Sequence, residues 1–262
     1  MEKWIKISEG KTKIIQELMG THGQVVKIES KPDITAGDGA KRDRIDRKDI
    51  FANNTTCNVF KLLERKGIKT HFVQRLSGNS FLAYGCEMIP VEVVIRRIAT
   101  GSYLKRNPEV KDGTVFDKPV VEFFYKDDDM HDPIMILEDN EILLYDAKKP
   151  IEASSFMGTF DDLSMLELAK VMEKRAKEVF LILEESFKNL GIILWDLKIE
   201  FGWTRTSGEL VVADVIDNDS WRIRDKEGNQ LDKQVYRDGG SLEKVRNLYE
   251  TVSNITDKFS FW

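Results

Sequence analysis

Between Asp196 and Arg222 the chain reads Asp-Leu-Lys-Ile-Glu-Phe-Gly, a short turn, and then Val-Val-Ala-Asp-Val-Ile-Asp-Asn-Asp-Ser-Trp-Arg. In an extended strand Asp196, Lys198 and Glu200 share one face, and Trp195, Leu197, Ile199 and Phe201 share the other. The pattern predicts one wet, charged face and one core face. Thr206-Ser207-Gly208 has the composition of a hairpin turn, and a three-residue loop centred on Ser207 sets Glu200 directly opposite Asp214. Like charges at cross-strand distance destabilise a sheet unless something neutralises them. A hard divalent cation, held by a few carboxylate oxygens plus substrate phosphates, does so. The hairpin therefore points to a Mg2+-nucleotide site. A solvated edge hairpin is the plainer reading of alternating charge. It fits poorly here, because Leu-Val-Val-Ala-Asp-Val-Ile is apolar on both faces and its one aspartate, sitting where a buried strand runs, needs a partner.

A chain of 262 residues can bury a substantial core, as one large domain or as two lobes. Its net charge of −5 argues against nucleic acid or an anionic membrane as the main partner, while a few clustered Arg or Lys suffice for a phosphate-bearing metabolite. Cys57 and Cys86 have neither CxxC spacing nor a Cys/His cluster around them, which speaks against zinc and against a disulfide framework. His22, His71 and His131 are scattered, leaving little material for a Ser-His-Asp triad. The amino terminus lacks an apolar signal core, and no stretch approaches the ~20 apolar residues of a membrane span. A cytoplasmic location is the expectation, and self-association into a homo-oligomer is left open.

Along the chain, strands are expected at Trp4–Ile7, from Lys13, and at Val25–Ile28. The turn Glu9-Gly10-Lys11-Thr12-Lys13 suits a polyphosphate lying over it, although it is not a Walker A loop and an ordinary turn with solvated lysines is as good a reading of it alone. Thr35-Ala36-Gly37-Asp38-Gly39-Ala40 makes a tightly turned or mobile loop, and the charged run Lys41 to Asp49 reads as a solvated helix start. A helix from Asn53 to Arg65 follows, with Val59, Phe60, Leu62 and Leu63 in the core and Gly67 as the stop. Phe72-Val73 and Phe81–Ala83 suggest strands. Pro90 is expected to end one run just before Val91–Ile95 begins another, which places a boundary there between an N-terminal lobe, 1–90, and a C-terminal lobe, 91–262. That second strand delivers Arg96-Arg97-Ile98-Ala99-Thr100-Gly101-Ser102, with Lys105 and Arg106 behind it, where guanidinium forks beside a Gly-Ser turn suit a phosphate or carboxylate. Lys126 to Pro133 is a dense acidic loop, a kind that is usually just solvated. Asp161 to Leu190 is the clearest helix, with Leu163, Leu166, Ala169, Met172, Ala176, Val179, Phe180, Leu183 and Phe187 as its stripe and Gly191 as its end. Another helix runs from Ser241, its N-cap, to about Val252, and the tail ending Phe-Ser-Phe-Trp reads as a strand tucked against its own domain.

Taken in order, Glu-Gly-Lys-Thr-Lys, Thr-Ala-Gly-Asp-Gly-Ala, Arg-Arg-Ile-Ala-Thr-Gly-Ser, Lys-Asp-Asp-x-x-His-Asp-Pro and Asp-Leu-Lys-Ile-Glu-Phe-Gly with Ala-Asp-Val-Ile-Asp-Asn-Asp-Ser-Trp-Arg closely resemble the SAICAR synthetase family, from about residue 8 to residue 238. The resemblance implies an α+β fold of two lobes, an antiparallel-sheet N-terminal lobe and a larger α+β C-terminal lobe, with a kinase-like ATP cleft between them. It implies a ligase that condenses CAIR, a carboxylated aminoimidazole ribotide, with L-aspartate in purine biosynthesis, through an acyl phosphate and at the expense of ATP with Mg2+. By that likeness Gly10, Lys11 and Lys13 lie over the ATP phosphates, and Glu87 and Met88 form the adenine-facing hinge. Glu200 and Asp214 match magnesium ligands, and Lys198 is the cation best placed to assist. Arg96, Ser102 and Arg222 match positions that hold the CAIR phosphate, with Asp196 and Asp219 lining the same pocket. Asp38, Asp128 and Asp132 fall in family motifs for substrate, and Arg97 is not expected to touch ligand.

Two other classes compete. A small-molecule kinase also uses a strand-borne Asp-x-Lys and a later metal aspartate, but it leaves phosphate on its product where a ligase releases it. The absence of His-Arg-Asp, Asp-Phe-Gly and Gly-x-Gly-x-x-Gly argues against a protein kinase. A non-catalytic nucleotide-binding module is disfavoured because the lysines, carboxylates and arginines are all present.

Overall fold

The computed structural model describes residues 3–37, 40–160 and 163–261. Strands β1 (Trp4–Glu9), β2 (Lys13–Leu18) and β3 (Val25–Ser30) form a meander. A hairpin of β4 (Asp33–Ala36) and β5 (Lys41–Arg44) precedes helix α1 (Lys48–Arg65), and β6 (Phe72–Arg75) and β7 (Ser80–Tyr84) complete a sheet in the order β1-β2-β3-β7-β6. The charged run is thus partly strand, and α1 begins at Lys48 rather than Asn53. Tyr236 accounts for this: its hydroxyl donates to Asp43 at 2.8 Å, and the Lys41 ammonium sits 4.0 Å above its ring, which ties β5 to the short helix Gln234–Arg237. Val59, Phe60, Leu62 and Leu63 are fully buried, and Gly67 follows the helix end at φ +85°.

The second sheet begins with β8 (Cys86–Ile98), after which come the short helix α2 (Ser102–Arg106), β9 (Val115–Tyr125), β10 (Ile134–Leu137), β11 (Ile142–Tyr145) and β12 (Phe156–Phe160). Helix α3 (Leu163–Asn189) leads into β13 (Ile193–Thr204), β14 (Leu210–Ala213) and β15 (Trp221–Arg224), and α4 (Gln234–Arg237) and α5 (Leu242–Asp257) close the chain. The order is β12-β11-β10-β9-β8-β13-β14, with β15 following β14 along the same edge of β13. Antiparallel sheets with helices packed on them make this an α+β fold.

Leu166, Ala169, Met172, Ala176, Val179, Phe180, Leu183 and Phe187 of α3 are all buried, as are Val93, Ile95, Leu197, Ile199 and Phe201 on the strands it covers. Each such large side chain contributes about 1.5–3 kcal/mol by leaving water. The Leu163 side chain and Asp38 lie outside the described residues. A smaller core joins Ile34 and Ile45 to Phe51, Tyr236, Val245 and Tyr249.

Three sequence expectations fail for local reasons. β8 runs through Pro90 without ending, because its register against β13 slips between Glu200 and Gly202. At such a bulge a residue without an N–H loses no ladder bond, and the Pro90 carbonyl still accepts from the Lys126 N–H at 2.9 Å. Trp195 is not in the core: β13 also slips between Leu194 and Asp196 against β15, leaving the indole half-buried with the Arg224 guanidinium 4.8 Å above it. The tail is helical rather than a strand. Ser241 caps α5 by accepting the Lys244 N–H, α5 continues to Asp257, and a 3-10 turn carries Phe259 into an edge contact with Phe187.

Candidate active site

Strand β13 has a neighbour on each side, and the side chains on its charged face meet those of both. Asp196 is registered against Arg96 of β8 and against Arg222 of β15. Its Oδ2 accepts from Arg96 Nη1 at 2.8 Å and from Arg222 Nη1. Arg96 is 2% exposed. Its Nε donates to Glu122 of β9 at 2.6 Å and its Nη2 reaches Ser102 Oγ at 3.4 Å, at the start of α2. Gly101 just before it has φ +60°, and a Cβ there would stand 2.7 Å from Arg222 Nη2, so a side chain at this position would displace the guanidinium. Arg97 points through the other face of the sheet, where it forms a forked pair with Glu184 of α3.

Further along β13 the partners change from arginine to lysine. Lys198 Nζ donates at 2.9 Å to Glu200 Oε1 and to Glu92 Oε1, and Lys126 Nζ donates at 2.9 Å to Glu200 Oε2. The carboxylate directly across from Glu200 is Glu92 on β8, with Lys198 bridging the two. Asp214 does not face Glu200 as the sequence suggested. Glu200 registers with Ala213, because the turn holds four residues between Thr204 and Glu209 instead of three. Asp214 lies one position past β14 with φ +65°, a left-handed conformation that Asp tolerates better than most residues. Its carboxylate still comes into the cluster, paired with Lys13 of β2. The imidazole Nε2 of His71 stands 2.9 Å from the Asp214 carbonyl and donates to it, since a carbonyl can only accept.

Burial alone would raise the Glu200 pKa, but Lys198 and Lys126 outweigh it and hold the group down to about 2. Burial lowers Lys13 to about 8 against the pull of Glu200. Burial also opposes the charge on Lys198, yet Glu200 and Glu92 raise its pKa overall. His71, enclosed by Phe60 and Phe81 and facing Lys13, is pushed down to about 3, first by burial and then by that ammonium.

Two cavities meet these clusters. One, of about 400 Å³, is lined by Lys13, Val26 and Ile28 of the first sheet, by Met88 and Glu200 of the second, and by Asp214 just past β14. Glu87 is exposed and registers with Trp203, while Met88 lines the cavity. The segment before Pro90 has its last backbone bond on the β9 side at Lys126, so among the described residues no strand covers that edge of Cys86–Ile89. The second cavity, of about 540 Å³, is lined by Lys11, Glu92, Arg96, Ser102, Asp128 and Asp132, among others. The acidic loop is therefore organised: Asp132 Oδ1 accepts the Asp127 N–H, Asp127 Oδ1 accepts the Met130 N–H, and His131 and Asp132 both have positive φ. Gly10 closes the turn between β1 and β2 through its N–H to the Lys13 carbonyl. Asp219 lies in the loop between β14 and β15. It accepts from Lys233 at 2.8 Å and from Tyr249; the Lys48 ammonium first, and then Lys233 and Tyr249, hold its pKa low despite its burial, while burial and Asp219 together push neighbouring Asp217 up to about 6.

Sequence reasoning missed Glu92, Glu122, Lys126 and His71 as members of these clusters. Glu92 and Glu122 interrupt apolar strand runs, which was the available clue; the others gave none.

A family model for SAICAR synthetase matches residues 6–255. The phosphoribosylaminoimidazole-succinocarboxamide synthase of Roseiflexus sp. (strain RS-1) is 44% identical over 259 residues, 96% of each chain. The crystal structure of the enzyme of that name from Ehrlichia chaffeensis superposes with a TM-score of 0.79 at 33% identity, covering 96% of this chain and 98% of that one. A SAICAR synthetase in complex with ADP superposes with a TM-score of 0.77 at 30% identity, covering 96% and 97%. The chain belongs to the SAICAR synthetase family. As a SAICAR synthetase it is a ligase of purine biosynthesis that joins CAIR to L-aspartate.

Proposed function

We propose that the ligation runs through an acyl phosphate, with ATP bound in the cavity between the two sheets and CAIR held at the arginine cluster. The single observation that carries this is the continuity of one strand face: Asp196 with its arginines and Glu200 with its lysines lie along β13, so a bound phosphomonoester and a bound nucleotide approach each other over Lys198. In this reading residues 1–90 form a lobe over the nucleotide and 91–262 the lobe for substrate and metal, as in kinases. Gly10, Lys11 and Lys13 cover the phosphates, and the open edge at Glu87–Met88 takes the adenine. A relative solved in complex with ADP supports a nucleotide here.

The donor set fits Mg2+. Among the described residues no three acidic, His or Cys groups cluster as a closed metal cage, but two carboxylates, Glu200 and Asp214, border one cavity, which suits an ion that takes its other ligands from phosphates and water. The ammonium groups of Lys13, Lys126 and Lys198 now stand against those carboxylates. Bound there, the ion would offset charge between two anions that must meet. An oxygen of the CAIR carboxylate attacks the γ-phosphorus, the β–γ bridging bond breaks, and ADP leaves. The aspartate amine then attacks the acyl carbon, the carbon–oxygen bond to phosphate breaks, and inorganic phosphate and a proton are released. Lys198 stabilises charge on the transferring group; Arg96, Ser102 and Arg222 hold the ribotide phosphate. Asp128 and Asp132, across the second cavity, face the amino-acid substrate, and Asp219 lines the ribotide pocket from the loop before β15.

The test is phosphate release from Mg-ATP by the purified protein, with CAIR and L-aspartate added singly and together. Release with a succinocarboxamide product only when both are present is the expected result. Phosphate retained on an acceptor, or release indifferent to aspartate, would replace the acyl-phosphate ligase with a kinase-like reaction.

A further inference from the structure

We propose that Glu122 is a positioning residue for the substrate phosphate: it locks the Arg96 guanidinium so that its one unspent edge faces Ser102 and the second cavity. The inference rests on the phosphate-site reading above and deepens it. Glu122 projects from β9 opposite Val94, one diagonal step from Arg96, and is 7% exposed. Its two oxygens divide the work. Oε2 accepts from Arg96 Nε at 2.6 Å, while Oε1 accepts from Arg106 Nε at 3.0 Å and Nη2 at 2.6 Å. Arg106 is itself fixed, since its Nη1 donates to the Ala147 carbonyl at 2.8 Å and its plane lies 5.0 Å from the Phe124 ring centre. Arg106 is thus an anchor for Glu122, and Glu122 is the anchor for Arg96.

With Nε held by Glu122 and Nη1 by Asp196, Arg96 cannot rotate about its long stem; only the Nη2 side is left for ligand. Three buried or half-buried guanidinium groups, of Arg96, Arg106 and Arg222, face two carboxylates, Glu122 and Asp196. Within this group the guanidiniums outnumber the carboxylates by one, so the cluster itself suits an incoming phosphate dianion.

Glu122→Gln tests this because a glutamine offers one acceptor and one donor, so one of the two arginines must face an N–H. The expected result is a KM for CAIR raised on the order of 10- to 100-fold, with KM for ATP within about twofold and kcat at saturating CAIR largely kept. Loss of kcat, ATP affinity and thermal stability together, or an unchanged KM for CAIR in the folded variant, would overturn the proposal. Should Glu122→Gln fail to fold, Glu122→Asp is measured instead: it keeps both oxygens but not their reach, and an intermediate rise in KM for CAIR is expected, whereas an unchanged one overturns the positioning role. Arg96→Ala run in parallel separates the two readings. If it leaves KM for CAIR unchanged, the phosphate site itself lies elsewhere; if it raises that KM while both Glu122 variants do not, only the proposal falls.

Discussion

The two charge clusters on β13 are built from the same strand face and yet use opposite chemistry. At Asp196 the partners are two arginines that share one carboxylate oxygen, Arg96 being buried and tied on a second side by Glu122; at Glu200 they are lysines, each a single ammonium on a flexible stem. A guanidinium is planar and weakly hydrated, so it suits a ligand that must sit in one orientation through the whole reaction. An ammonium is a point charge that can be given up to a metal ion or a phosphate without rebuilding the site. The contrast suggests that the arginine end holds the ribotide still while the lysine end exchanges partners during turnover. Glu200 is prepared for that exchange, because lysines that hold its pKa near 2 against the effect of burial keep it ionised at any working pH.

The largest expected effect tests the lysine end. Glu200→Gln and Asp214→Asn should each lose about 10²–10³ in kcat while the thermal melt shows a folded protein. Normal kcat in either variant would remove the metal carboxylates from the scheme and with them the idea of a labile end. Next in size is the arginine end. Arg96→Ala and Arg222→Ala should raise KM for CAIR by about 10- to 100-fold with KM for ATP little changed, as for the loss of charge-assisted bonds made in ground and transition state alike. A fall in kcat with KM intact would reverse the roles of the two ends.

The sequence made the working face legible because alternation on β13 is a short-range property: Asp196, Lys198 and Glu200 share a face whatever else the chain does. The α3 stripe was legible for the same reason. What failed depended on register. A turn of four residues instead of three moved Asp214 off the ladder, and two slips, at Pro90 and at Trp195, kept one strand whole and removed one ring from the core. The arginine anchor failed differently. Glu122 meets Arg96 through the β8–β9 pairing and meets Arg106 from α2, so a glutamate interrupting an apolar run marks a buried partner without saying which arginines it joins. Resemblance to a family supplied Asp219 as a pocket residue, and the structure adds its bonds to Lys233 and Tyr249, which no local pattern announces.

A third prediction reads the lysine end through stability. His71 is buried behind Asp214 and its folded pKa is depressed to about 3, against 6.5 for an ordinary imidazole. Between those values the unfolded chain binds the extra proton, so stability rises with pH across that window and is lost as pH falls below about 6.5. Chemical denaturation of the wild type and of His71→Gln from pH 7 to 4.5 should therefore diverge, with the wild type steeper by up to about 1.4 kcal/mol per pH unit. Parallel curves would mean that the imidazole is not held neutral, and that its bond to the Asp214 carbonyl does not help set the left-handed turn.

The smallest effect is also the sharpest control on the comparison, because Arg97 has the same guanidinium as its neighbour Arg96 but lies on the other face of the sheet. There it is paired with Glu184 and with the carbonyls of Phe116 and Asp117, tying β8 and β9 to α3. If facing β13's charged side is what makes an arginine part of the site, Arg97→Gln should cost stability, on the order of 1–3 kcal/mol for charged hydrogen bonds left unmade, and leave both KM values where they were. The thermal melt and the two Michaelis curves decide it. A raised KM for CAIR in Arg97→Gln would mean that the arginine end is a property of the whole Arg-Arg-Ile segment, and the division of β13 into a fixed and an exchanging end would lose its structural basis.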